Sequence, residues 1–124
     1  MTLTEGEKLF MTEARRRALA SLVSGKATHP ALCSVAGSAA PMAIAGIALK
    51  AGRPMLVVGA DPDDAGYLYH DLARLAGEES VVFFPSGYKR DIKYGQVDAP
   101  SVILRTEALR RLGSADPTLK YVVT

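Results

Sequence analysis

The sequence predicts an α/β protein: three layers, α/β/α, around a mostly parallel sheet. Two observations carry that expectation. Short apolar runs alternate along the chain with stretches of helical periodicity, and the clearest run, Met55-Leu56-Val57-Val58, contains no polar residue. Strands that alternate with helices are joined by crossovers, which set parallel strands side by side and place helices on the two faces of the sheet. An unbroken apolar run is what a strand buried on both faces requires. A length of 124 residues suits one domain with its own core. At 48% hydrophobic and 23% charged residues, the composition excludes a disordered chain.

The elements follow in order. Thr4 to about Ser24 reads as an amphipathic helix: Thr4 and Glu7 match a capping box, Phe10, Ala14 and Ala18 recur at helical spacing, and Leu19 and Leu22 widen the apolar side. Gly25 ends it, and Arg15, Arg16 and Arg17 give it a charged face that reads first as solvated surface. Ala31 to Ala36 is expected as the first strand, after His29-Pro30, with Cys33 buried in it as a small thiol. A second helix runs from about Ala39 to Ala51, with Pro41 in its first turn and Gly52 as its carboxy-terminal cap. Its many alanines let a helix lie close to a sheet.

Pro54 to Gly59 is the second strand. Asp61 caps the next helix, Pro62 opens it, and Asp63 and Asp64 lie near its positive end. Ala65, Leu68, Tyr69, Leu72, Leu75 and Ala76 form its inward stripe, and Gly77 stops it. Ser80 to Phe84 is the third strand. Pro85 through Pro100 is irregular. A last helix, Ser101 to Leu112, turns Leu104, Ala108, Leu109 and Leu112 inward, and Leu119 to Val123 is the fourth strand. Residues 1–25 thus hold an amino-terminal helix and 31–124 an alternating core. Together they make a single partial domain that stops on a strand and is expected to continue beyond Thr124.

Fifteen basic against thirteen acidic residues leave a formal charge of +2, too little to indicate nucleic acid by itself. One cysteine allows no intrachain disulfide. The amino terminus carries Glu5, Glu7 and Lys8 and no early apolar run, unlike a secretory signal. Val35 to Leu49 is too short, and too broken by Pro41, to span a bilayer. A cytoplasmic location without membrane contact is expected.

The turn between the first predicted strand and its helix is where nucleotide-binding α/β folds hold phosphate, on exposed N–H groups at the positive end of the helix. A working P-loop needs a glycine-rich curve, a lysine for the β and γ phosphates and a hydroxyl for magnesium. Here Gly37-Ser38 keeps a trace of the curve. Ala39 stands in place of the last glycine, Ala40 in place of the lysine and Pro41 in place of the threonine. The topology is read as P-loop-NTPase-like, or Rossmann-like, with the loop's chemistry erased. No nucleotide, metal or other cofactor is expected, and no residue is assigned a catalytic role. A weak anion site on the remaining N–H groups is the alternative.

The residues around this turn resemble a known family. Val35-Ala36-Gly37-Ser38-Ala39-Ala40-Pro41-Met42-Ala43-Ile44-Ala45 is similar to the first motif of the B subunit of bacterial nucleotide excision repair, without its essential residues. Met55-Leu56-Val57-Val58 with Asp64-Ala65-Gly66-Tyr67-Leu68-Tyr69-His70-Asp71-Leu72 resembles the following helicase-motif region. Val82-Phe83-Phe84-Pro85-Ser86-Gly87-Tyr88-Lys89-Arg90 resembles its next strand and aromatic loop, and Arg105 through Leu112 with Tyr121 to Thr124 continues the match. The shared defect is most similar to the amino-terminal module of bacterial transcription-repair coupling factors. The resemblance implies a non-catalytic scaffold for transcription-coupled repair. Its partners would be the remaining domains of a parent ATP-driven translocase. Through parts beyond this chain they would include the excision-repair A subunit, RNA polymerase and DNA. An inserted domain that recruits the A subunit would follow residue 124. The family also leads one to expect the first strand at the centre of the sheet.

Other candidates keep two readings. Tyr88, Lys89, Arg90, Lys93 and Tyr94 interleave aromatic and basic groups; they suit stacking on nucleic acid, a contact between domains or plain loop packing. Arg105 and Glu107 suit contacts with the rest of such a module or ordinary surface ion pairs. Asp61, Asp63 and Asp64 superficially resemble a magnesium site, but capping explains their spacing. His29, His70, Ser34, Ser38 and Ser86 lack the neighbours that chemistry needs.

Overall fold

A computed structural model of the chain describes residues 35–86 and 99–124 continuously, together with positions 5, 12, 15, 17, 18, 20, 21, 24, 25, 31 and 33. In order, its elements are α1 (Ala39–Ala51), β1 (Met55–Val57), α2 (Pro62–Ala76), a 3-10 turn (Glu78–Ser80), β2 (Val81–Phe83), α3 (Ala99–Gly113) and β3 (Tyr121–Val123). The three strands form one sheet in the order β1-β3-β2 and both pairings are parallel. Leu56, Val122 and Val82 stand in one row across it.

The helices begin and end where the sequence places their signals. α1 spans Ala39–Ala51 and closes on Gly52 at φ 62, a left-handed cap conformation that costs glycine little. α2 starts after Asp61, whose carboxylate accepts a hydrogen bond from the Asp64 N–H, and ends at Gly77. Positions 5, 15, 17, 18, 20 and 21 are helical, and Gly25 at φ 70 lies in the turn that follows; Thr12 between them is not helical, and its hydroxyl accepts a hydrogen bond from the Arg15 N–H at 3.3 Å, so the single helix expected from Thr4 to Ser24 is broken there. The capping pair Thr4–Glu7 and the apolar residues Phe10, Ala14, Leu19 and Leu22 lie outside the described residues.

The side chains sort by parity onto two faces. On one, Ala45 and Ala48 of α1 and Ala65 and Leu72 of α2 enclose Val57, Val81, Tyr121 and Val123. Ile44, Met55, Leu68, Tyr69 and Phe83 fill in around them. The alanines of α1 do what their size allows: they let the two helices and the sheet approach until Ala45 is fully enclosed. On the other face, among the described residues, α3 packs. Ala108 and Leu119 cover Val82 and Val122, with Phe84 alongside.

Four expectations are corrected. Ala31, Cys33, Val35 and Ala36 carry no strand, and Cys33 is exposed rather than buried. Alanine, serine and cysteine offer little side chain to pack on a pleated surface, and they do not secure a ladder. Among the described strands the centre is held by β3, not by the first run of the chain. β1 is an edge strand, and its unbroken apolar sequence does not mean two buried faces: Leu56 is 68% exposed because α3 stops short of it. On α3, Leu104, Leu109 and Leu112 face outward, while Ser101, Ala108 and Arg111 are buried.

Candidate functional site

In a parallel sheet the carboxyl ends of the strands and the amino ends of the helices meet at one edge, and ligands of such folds bind there. At this edge lie the Gly37 turn before α1 and the Gly59 turn between β1 and α2.

The Gly37 turn is closed upon itself. Gly37 takes φ 56, and a side chain built on it would meet nothing, so the glycine serves the backbone angle rather than a close approach. Ser38 is already in a helical conformation and its hydroxyl makes no cap bond. The Ala39 N–H donates to the Ala36 carbonyl and the Ala40 N–H to the Gly37 carbonyl, each at 3.3 Å. Pro41 has no N–H to offer, and the Met42 N–H donates to the Ser38 carbonyl at 3.3 Å. The N–H groups of Ala39, Ala40 and Met42 are therefore committed to the turn, and Pro41 has none. Ala40 and Pro41 add neither charge nor hydroxyl.

The second turn is closed by its own carboxylates. The Ala60 N–H donates to Asp64 Oδ2 and the Asp64 N–H to Asp61 Oδ1, both at 2.8 Å. The Ala65 N–H donates to the Asp61 carbonyl at 2.9 Å. Asp61 and Asp64 thus act as caps, and among the described residues no group of three or more acidic, histidine or cysteine side chains converges as metal ligands would. Gly59 has a packing role, since a Cβ there would lie 2.6 Å from the Ala65 nitrogen. Its N–H donates to the Thr124 carbonyl at 2.8 Å, which holds the β1 exit against the β3 exit.

The remaining sequence candidates separate. Tyr88, Lys89, Arg90, Lys93 and Tyr94 lie outside the described residues, as do His29 and Ser34. Arg105, half-buried, sets its guanidinium 4.6 Å from the centre of the Phe84 ring, a cation–π contact that seats α3 on the end of β2. Glu107 pairs with Arg110 rather than Arg105, through two bonds of 2.7 and 2.8 Å on the exposed side of α3. His70 is exposed and meets the Tyr69 ring edge-on at 5.3 Å.

No family model, curated protein or solved structure matches this chain.

Two residues that sequence reasoning passed over are the most constrained polar groups described. Arg111 is buried at the end of α3, its Nε on Asp116 Oδ2 at 2.7 Å and its Nη2 on the Glu79 carbonyl and on Thr118 Oγ1. Thr118 donates to Asp116 through both its hydroxyl, at 2.7 Å, and its N–H, at 2.9 Å. These bonds from Thr118 and Arg111 hold the Asp116 carboxyl down at about 2. The signal for Arg111 was its place three residues after Ala108, on the buried side of the helix. Tyr121, fully buried in the central strand, has a hydroxyl with no partner, and burial raises its pKa. Nothing in the sequence marks that.

At the opposite edge, where the strands begin, a cleft of about 540 Å³ is lined by Ala48, Gly52, Leu112 and Leu119 together with the charged residues Arg53, Arg111, Asp116 and Lys120. The carboxy-terminal ends of α1 and α3 border it. Their carbonyl groups work against an anion there.

Proposed function

We propose that this chain is a non-catalytic scaffold unit of a transcription-coupled DNA repair factor, built on a P-loop-like α/β plan whose nucleotide turn is silent. The observation that carries the reading is the Gly37 turn: Ala39 and Ala40 spend their N–H groups within the turn, and Pro41 has none. A P-loop holds phosphate with exposed N–H groups and a lysine, and positions 39 to 41 of this turn offer neither. The family reading comes from the resemblance of residues 35–45, 55–72, 82–90 and 105–124 to transcription-repair coupling factors. In such a factor the unit's work would be to position neighbouring domains that recruit excision-repair proteins to a stalled RNA polymerase.

Titration calorimetry with ATP and magnesium checks the silent turn; no heat of binding is expected at millimolar nucleotide, and micromolar binding that requires magnesium would overturn it. Cells with the gene for this chain disrupted check the repair role. Transcribed-strand lesions made by ultraviolet light should then be removed as slowly as those on the other strand. A retained strand preference would end the repair reading while leaving the silent turn standing.

A further inference from the structure

Along β1 the main-chain bonds to β3 fall on alternate residues. The Met55 N–H donates to the Lys120 carbonyl at 2.8 Å, the Thr124 N–H to the Val57 carbonyl at 2.9 Å and the Gly59 N–H to the Thr124 carbonyl at 2.8 Å. Successive strand residues turn their N–H and C=O groups to opposite sides, so those of Leu56 and Val58 point away from β3. Among the described strands β1 pairs with β3 alone. The side chains of this free edge are open as well: Leu56 is 68% and Val58 69% exposed, while Val57 between them is buried. β2, the other edge, differs, since Val81 is buried and Phe83 half-buried. Soluble proteins blunt an edge strand with charge, proline or a bulge. Leu56-Val57-Val58 carries no charge and no proline.

We propose that this edge pairs with β1 of a second copy of the chain, antiparallel, about a twofold axis at Val57. Three observations select that occupant and that register. First, the free groups are self-complementary. A twofold axis sets like edges in opposite directions, and centred on Val57 it places Leu56 opposite Val58 of the second copy. Both residues turn N–H and C=O outward, so each such pair exchanges both bonds of an antiparallel ladder. Second, Leu56 and Val58 lie on the same face of the sheet, two residues apart. Across the axis each meets the other's exposed surface, the contact that stabilises neighbouring strands. Third, the charges agree. Arg53 lies as far before Val57 as Asp61 lies after it, roughly 13 Å along an extended chain. The axis therefore carries Arg53 to the end of the other β1, where Asp61, Asp63 and Asp64 open α2. Arg53 and Asp63 are both exposed and bond no other described side chain. A parallel pairing would set Arg53 against Arg53 instead, and one acidic turn against the other. A ladder this short buries well under the roughly 800 Å² per partner of a stable interface, so the dimer is weak and forms at high protein concentration.

Cross-linking of the full chain tests the proposal. In a Cys33→Ser background, tagged Leu56→Cys chains and untagged Val58→Cys chains are mixed and oxidised. Opposed residues of a bonded pair lie about 5.5 Å apart, within disulfide reach, whereas like residues meet only diagonally. The mixed disulfide should exceed each like-with-like disulfide at least tenfold. A statistical mixture of the three, or no cross-linked dimer, would overturn the proposal. Sedimentation equilibrium supplies a measurement without cysteines. Val58→Lys and Arg53→Glu should each weaken self-association at least fivefold, and Asp63→Arg should restore it in the Arg53→Glu chain. A parent chain still monomeric at millimolar concentration, self-association indifferent to Val58→Lys, or a charge exchange that restores nothing would each be decisive against it.

Discussion

The two faces of the sheet are built from similar residues and finished to different degrees. The α1–α2 face brings two helices onto three strands and encloses Ala45, Leu72, Tyr121 and Val123 completely. The α3 face, among the described residues, brings one helix onto two strands, and polar contacts join its small apolar cluster: Arg111 reaches from the helix to the Glu79 carbonyl, Asp116 and Thr118, and Arg105 rests on Phe84. Small apolar residues allow close approach on one face. On the other, the long side chains of Arg105 and Arg111 add contacts beyond the reach of the small apolar cluster.

The comparison can be broken by substitution. Leu72→Ala on the finished face should cost about 3 kcal/mol, the transfer loss plus a cavity, read as a lower midpoint in urea with an unchanged slope. A loss below 1 kcal/mol would mean that face is looser than its burial implies. Arg111→Met should cost about 2 kcal/mol, because the Glu79 carbonyl and Asp116 lose a buried partner. It should also change the acid limb. Asp116 is held at about 2 against an ordinary 3.8, so its contribution is fully present above pH 4 and disappears as pH falls through 2. Thermal melts of Arg111→Met from pH 5 to 2 should therefore fall less steeply than those of the parent chain. Tyr121→Phe should raise stability by about 1 kcal/mol by removing a buried hydroxyl that has no partner; a loss of that size would reveal a partner for it. Leu109→Ser, on the open flank of α3, should change stability by less than about 0.5 kcal/mol.

Much of the fold was legible because helix ends are written locally. Asp61, Pro62, Gly52 and Gly77 act within a turn of where they stand, and the helices begin and end on them. Strand pairing is not local. Met55 to Val58 showed its apolar character but not that it would lie at an edge, since that depends on residues 121–123, far along the chain. The outward leucines of α3 were misread for the same reason: periodicity marks a stripe, and only the sheet decides which side of the helix meets it. At the candidate site, the lack of charge and hydroxyl at Ala40 and Pro41 could be read from the sequence. The capture of the neighbouring N–H groups by the Ala36 and Gly37 carbonyls could not, because it depends on the path of the backbone.

The order β1-β3-β2 has a consequence for how the protein is made. β1 and β2 share no hydrogen bond and meet only through Tyr121–Val123. On the ribosome, both segments emerge with bare ladder groups and stay so until translation delivers the strand that belongs between them. Among the described strands, loss of that one would leave the other two with no partner.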